Sequence, residues 1–483
     1  MKEKLEQLME FCKGLGADYA DIRVKDIWTQ AVIAEDGKIK TLNSGRSVGC
    51  GIRVFVDGSL GFAATNDLAK LEETAKKAYE IACVSKELQS EKIVLAPKPV
   101  VVDEFSTPMK QDPEAVTLEE KIALLLSCEK VMRAIPGVSR TSSSVQFRKE
   151  HVIYCDTEGS FITQSFCQSG GGISATAVGG GDAQTRSYPN SFRGNYARAG
   201  YEYIIEMDLL AHAEKCARES VELLNAPDCP SGVYDLVINP SQMTLQIHES
   251  IGHPTELDRV FGSEAAYAGG SFVTPEDLNS GLVYGSAHVT VVADATCGGG
   301  ALGSYGYDDE GVAAQRVVLI DKGIFKNFTS CRDTAHRVGR LSGGMCLADG
   351  WHNLPIVRMT NINLEPGNFE VDELIAGIED GFLLDVNKSW SIDDKRVNFQ
   401  FACEIAYEIK NGKLTGKIFK NPIYSGVTTE FWGNCDGVAN EKHWQLYGTP
   451  NCGKGQPGQV ARVGHGSAPT RFRKVKVGVA DVK

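Results

Sequence analysis

The chain has 483 residues, enough for two or three ordinary domains, and its 42 % hydrophobic content suits a globular core. A formal net charge of −12 repels a phosphate backbone, which argues against direct nucleic-acid binding. No stretch reaches the roughly 18 continuous apolar residues of a membrane span. Residues 1–11 lack the apolar core of a signal peptide, so a cytoplasmic protein with no membrane partner is expected. The 14 cysteines form no CxxC pair and read mostly as small buried hydrophobes. One basic run, RFRKVK at 471–476, reads as a solvated edge.

In chain order, Leu5, Leu8, Met9 and Cys12 recur at helical spacing, and Gly14 or Gly16 closes that helix. Strand alternation follows at Ala20, Ile22 and Val24. It returns at Ile52, Val54 and Val56 and turns at Asp57-Gly58 into Leu60 and Phe62. Asn66 or Asp67 is the expected cap of a helix with Leu68, Leu71, Ala75, Ala78 and Ala82 on one face. Thr117 and Glu120 form a capping-box pattern before Leu118, Ile122 and Leu125, and Pro136-Gly137 ends that helix. Residues 138–200 read as β-rich and polar. The glycines at 170–172 and 179–181 read as tight turns or a mobile loop, because no phosphate-loop lysine follows them. A helix over 208–224 leads into a linker, NAPDCPSG at 225–232. The expected fold class is α+β: an α/β domain over 1–225, then a mostly β domain over 226–483 that carries the segment below.

That segment is NPSQMTLQIHESIGHP at 239–254. Asn239 suits a helix cap and Pro240 its first position, while Met243, Ile247 and Ile251 mark a buried face. The string His248-Glu249-x-x-x-His253 spaces two histidines five apart. At about 100° per residue, that separation is roughly 140° round a regular helix, too far to share one metal ion. Gly252 and Pro254 offer a way out by unwinding the last turn and swinging His253 back, and a π-bulge would serve equally. Two imidazoles suit zinc, a third protein ligand is needed, and Glu249 is placed to act as general base. Taken alone the string is weak, since a His-Glu pair is more often plain helix surface and a lone histidine more often a core residue.

Further blocks extend the pattern. HESIGHPTELDRVFGSEAAYAGGSF at 248–272, DDEG at 308–311, LPIVRMTNINLEPG at 354–367 and NCGKGQPG at 451–458 resemble the TldD/PmbA family. GADYADIRVK at 16–25 and GIRVFVDGSLGFAAT at 51–65 fit it as well. Members of this family were once called modulators of DNA gyrase. The intact HExxxH string resembles the TldD branch, since the PmbA (TldE) branch lacks it. The resemblance implies zinc held by His248, His253 and Cys452, with Glu249 as base. It also implies hydrolysis of unfolded or extended peptides, including ribosomal peptide precursors. A dimer with a PmbA/TldE-like subunit, or with a second copy, would enclose the site.

His465, Glu256, Glu264 and Cys435 compete with Cys452 as third ligand. Tyr305, Tyr307 and His352 are candidate oxyanion donors. Asp308, Asp309 and Glu310 read as a turn or cap rather than a second cation site. Arg358 and Asn361 read as binders of peptide carbonyls or as loop ties. Glycines at 170–181 and 298–300 are expected to line or gate an enclosed site. Three rival readings are a non-catalytic, zinc-containing interaction subunit that keeps zinc as a structural staple, a gyrase-modulator-like protein that acts on DNA gyrase, and a metal-dependent hydrolase of non-peptide amides.

Overall fold

A computed structural model of the chain describes residues 1–191 and 193–478. Helix α1 (Lys2–Leu15) buries Leu5, Leu8, Met9 and Cys12 and closes on Gly16 in the left-handed region. Strands β1 (Tyr19–Glu35) and β2 (Lys38–Val56) pair antiparallel along their lengths, and β3 (Ser59–Thr65) follows through the Asp57-Gly58 turn. Helix α2 (Leu71–Ser85) starts later than predicted, because the Asp67 carboxylate accepts from Ala69 N in the turn before it. After β4 (Val102–Ser106), helix α3 (Leu118–Arg133) opens on Thr117 and Glu120, which make both bonds of the capping box.

Strands β5 (Val138–Asp156), β6 (Phe161–Gly179), β7 (Asp182–Tyr188) and β8 (Asn195–Ala197) complete an eight-stranded sheet, order β3-β2-β1-β5-β6-β4 with β7 and β8 both on β6. Helices α1 and α2 cover one part of it. Helix α3, with α4 (Glu202–Met207) and α5 (Leu209–Asn225), covers another. Gly180 and Gly181 form the predicted turn, between β6 and β7. Gly170 to Gly172 do not. They lie inside β6, and a Cβ on Gly170 would sit 2.0 Å from the Tyr196 ring, on Gly172 2.5 Å from Gly194 Cα. Their bareness lets the stretch around β8 press onto the sheet.

In the second half, β9 (Gly232–Ile238) runs into helix α6 (Pro240–Ile247). A small sheet follows, order β12-β11-β10-β15, from β10 (Val291–Asp294), β11 (Arg316–Asp321), β12 (Ile324–Phe325) and β15 (Ile362–Leu364). Strands β13 (Cys346–Leu347) and β14 (Ile356–Val357) pair with each other. The remaining strands are β16 (Asp380–Ile392), β17 (Asn398–Lys410), β18 (Lys413–Phe419), β19 (Ile423–Val427), β20 (Cys435–Val438), β21 (Gln445–Lys454), β22 (Gln459–Ser467) and β23 (Thr470–Val477).

Pairings β16–β9, β9–β23, β23–β19, β19–β17 and β17–β16 close a ring, so these five strands have partners on both sides. The basic run at 471–476 is therefore not an edge: β23 sits inside the ring, where Arg471 and Arg473 pair with Asp436. Phe401, Tyr424, Phe431, Trp432 and Phe472 fill the core around it, together with Met243, Ile247 and Ile251 of the α6 segment.

Candidate metal centre

Helix α6 is buried on both faces. Apolar Met243 and Ile247 join the core, while Gln242 and Gln246 on another face bond to the buried Tyr424 hydroxyl at 2.8 and 2.9 Å. Asn239 stands at the cap position, but its side chain bonds Asp385 (3.3 Å) and caps nothing. The helix then widens into a π-turn at His248–Gly252 and tightens into a 3₁₀ turn at His253–Thr255. His253 N–H closes back to His248 O, a bond across five residues that absorbs the extra residue of HExxxH.

Carbonyls freed by these changes of pitch find other donors. Thr255 Oγ1 reaches Ile251 O (2.8 Å) and Gly252 O (3.0 Å), and the Tyr284 hydroxyl donates to Ser250 O. The expected role of Gly252 and Pro254 was different. Both Gly252 and His253 keep right-handed helical dihedrals, so neither is a kink. Gly252 is needed for space, since a Cβ there would lie 2.4 Å from Met359 Sδ.

The turn brings the two imidazoles together, ring centroids 4.8 Å apart, and the β21–β22 hairpin brings Cys452 against them. Ligand atoms of His248, His253 and Cys452 all lie within 4.8 Å of one another, and all three side chains are buried. One metal ion can bridge such a set. Of the competing ligands, two turn out to hold the histidines. His465 Nδ1 faces the Ile362 carbonyl at 3.2 Å, which can only accept, so that nitrogen carries the proton. Its Nε2 then accepts from His248 Nδ1 at 2.8 Å, leaving His248 Nε2 as a free lone pair. Burial and the neighbouring His248 push the His465 pKa far down, which keeps it neutral for that task. Glu256 Oε2 accepts a hydrogen bond from His253 Nδ1–H at 2.9 Å, so His253 Nε2 is the nitrogen turned toward Cys452 Sγ, 3.9 Å away. Glu264 instead stands 3.4 Å from Gly455 N, and Cys435 is buried on β20, paired toward β23.

Charge at the site favours ionised donors. Burial would raise the Cys452 thiol, but His248 in its protonated form, the Arg358 guanidinium and protonated His253 outweigh it and hold the pKa well below its usual value, so in the absence of metal a proton rests on an imidazole rather than on the sulfur. Arg358 Nη2 donates to Cys452 O at 2.5 Å. Lys454, two residues on, is buried and bonds Asp258 Oδ1 at 2.6 Å, with Glu256 Oε1 3.3 Å away. Two distant sequence blocks are thus buttoned together twice, by Cys452 near His253 and by Lys454 on the acids that follow it. Burial also raises the Glu249 carboxylate, but His253, His248 and Arg396 together pull it below its usual range.

Arg396 was not foreseen. It lies in the β16–β17 turn with φ +66°, and its Nη1 holds Glu249 Oε2 at 2.5 Å. No local sequence signal links it to a helix 147 positions away.

Glu249, His248, His253 and Cys452 line one cavity of about 310 Å³, with Arg396, Trp390 and, from the first half, Asn190 and Gly194. The β6 glycines are what let that last stretch approach. None of the predicted oxyanion donors is there: the Tyr305 hydroxyl bonds Gly344 O (2.7 Å), Tyr307 bonds Asp103, and His352 packs on Trp351. The Gly298–Gly300 turn does not line the cavity either; its Gly300 O accepts from Arg198 N. Asp308 and its neighbours form a buried turn, Asp308 accepting from Glu310 N, Val312 N and Cys346 N. Asn361 ties loops, bonding Asp294 O, Ser304 and Gly303 N.

Three descriptions of one family match the chain: PmbA/TldA metallopeptidase domain 1 over 20–82, its central domain over 111–226 and its C-terminal domain over 231–479. A metalloprotease of Methanocaldococcus jannaschii is 32 % identical, covering 97 % of this chain and 98 % of its own. A zinc metalloprotease TldD homolog of Saccharolobus solfataricus is 24 % identical over 96 % and 97 %. The crystal structure of TldE from Thermococcus kodakarensis shares the fold, with TM-score 0.72, 17 % identity and coverage of 98 % and 99 %. The chain belongs to the PmbA/TldA metallopeptidase family.

Proposed function

We propose that the protein is a zinc-dependent peptidase that hydrolyses bonds in unfolded or extended peptides, with His248, His253 and Cys452 as metal ligands and Glu249 as general base. The observation that carries this reading is the set of second partners: Glu256 and His465 occupy the outer nitrogens of both histidines and leave the inner ones free. Two imidazole nitrogens and a thiolate form a donor set that suits zinc and leaves a position open. Zinc held there supplies Lewis acidity to a water and to the scissile carbonyl.

The chain's own residues do the rest. Arg396 fixes one carboxylate oxygen of Glu249, so Oε1 is the one left to take the proton of the attacking water. Glu249 then delivers that proton to the leaving amine. The cavity between the two halves accepts an extended chain, whereas a folded domain would first have to unfold at about 5–15 kcal/mol. Similarity to the TldD branch supports a dimer with a PmbA/TldE-like subunit, a second copy being the other arrangement, and substrates that include ribosomal peptide precursors.

The test is incubation with an unfolded peptide library, with and without chelator, read by mass spectrometry. Chelator-sensitive cleavage of unstructured peptides, with the same sequences spared inside a folded domain, is expected. Cleavage that survives metal removal, or that ignores folding, would sink the reading.

A further inference from the structure

A second cleft lies behind the metal hairpin, between β5, β22 and the segment after β8. We propose that it binds a small oxyanion, a carboxylate or a phosphate, between the guanidinium groups of Arg148, Arg198 and Arg462. These three side chains line a cavity of about 60 Å³, several times the roughly 10–15 Å³ that one water requires. Lys25 and Arg358 line it too, so five cations face only three carboxylates, Glu150, Asp309 and Asp349. In a chain of net charge −12, this local excess runs against the overall balance.

The three carboxylates are already engaged. Glu150 accepts from Arg148 Nε and Nη2 at 3.1 and 2.9 Å, with Lys25 3.3 Å away. Asp309 takes Lys25 at 3.0 Å and stands 3.6 Å from Arg23. Asp349 takes Arg462 Nη1 at 2.9 Å. None of the three accepts a hydrogen bond from Arg198, although the charge of Glu150 attracts it. Its guanidinium lies over the Phe166 ring at 4.6 Å and donates no hydrogen bond to any described residue, its Nε being fully buried. Arg148 Nη1 and Arg462 Nη2 are likewise without a bond in this cleft. Burial, with the charges of Arg462 and Arg148, outweighs the attraction of Glu150 and pushes Arg198 down to about 10. A charge held like this in a protein costs free energy unless a counter-charge completes it. The guanidinium fork is shaped for the paired oxygens of a carboxylate or phosphate.

The position adds a consequence. Ala461 lines the cleft and is the β-partner of Cys452, and Arg358 lines it while holding Cys452 O. An anion here braces the back of the strand that carries Cys452. The site stands on its own geometry and does not depend on the metal reading.

The experiment is calorimetric titration of the full-length, metal-loaded protein with inorganic phosphate and, separately, with acetate, chloride serving as control. Expected is saturable binding of one ion per chain, weakened about tenfold or more in Arg198→Gln, since a hydrogen bond to a charged group is typically worth that much. The tighter of the two anions identifies the source. Without anion, Arg198→Gln should melt no lower than wild type; should that variant not fold, Arg462→Gln, which also removes the partner of Asp349, supplies the affinity reading alone. No saturable binding by wild type, equal affinity in both variants, or chloride binding as well as the oxyanions would overturn the proposal.

Discussion

Among the described residues, two buried clusters have donor atoms close enough to share an ion. His248, His253 and Cys452 have ligand atoms within 4.8 Å of one another, and so do Glu310, Cys331 and Cys346. Their surroundings differ. In the first, each histidine's outer nitrogen is taken up by a neighbour and the thiol is held well below its usual pKa. In the second, burial pushes Cys331 up to about 12 and Cys346 well above the ordinary thiol value. Glu310 there is already committed, one oxygen to Arg53 (2.9 Å) and the other to Arg332 N (2.7 Å). Proximity of donor atoms does not make a metal site; deprotonated, uncommitted lone pairs do. We therefore read the second cluster as a joint that holds the 308–312 turn against the first sheet.

The largest expected effect separates chemistry from binding within the first cluster. Glu249→Gln should lower peptidase turnover by about 10²–10⁴ while metal content stays near wild type. Normal turnover in that variant would remove Glu249 from the base role. Next come the outer partners. His465→Phe and Glu256→Gln should each weaken metal affinity by about 10–100-fold, measured by competition with a chelator. An unchanged affinity in both would show that the histidines do not need these partners.

Acidification should act on the first cluster through its histidines. Burial lowers the His253 pKa, but Glu256 and Cys452 outweigh it and raise it above its ordinary value. A raised pKa means that protons compete as pH falls through it, so metal affinity should drop on going from pH 8 to pH 5, by about tenfold per unit once His253 is protonated. An affinity flat over that range would contradict the assignment. The smallest effect belongs to the second cluster. Cys346→Ala should cost about 1 kcal/mol in denaturant unfolding, with turnover untouched.

The same contrast shows how far sequence reasoning reached. The His248-Glu249-His253 string and the strand patterns of the first half are legible as a compact motif and local periodicity, whereas Cys452 stands out among 14 cysteines only through the family resemblance of the NCGKGQPG block. The π-turn was one of two options left open, since the sequence shows that five-residue spacing needs a change of pitch but not which one. Arg396 and the tautomer-setting role of His465 were not legible: both meet the helix only through tertiary contacts across the chain. Gly170 to Gly172 read as a turn because glycine in a turn and glycine inside a strand, bare so that the Tyr196 ring and the Gly194 backbone can approach, look alike in one dimension.

Elemental analysis of three purified chains tests the central distinction most directly. Wild type and Cys346→Ala should each carry about one zinc, and Cys452→Ala close to none. Full zinc in Cys452→Ala, or its loss in Cys346→Ala, would contradict the assignment of the metal to the first cluster.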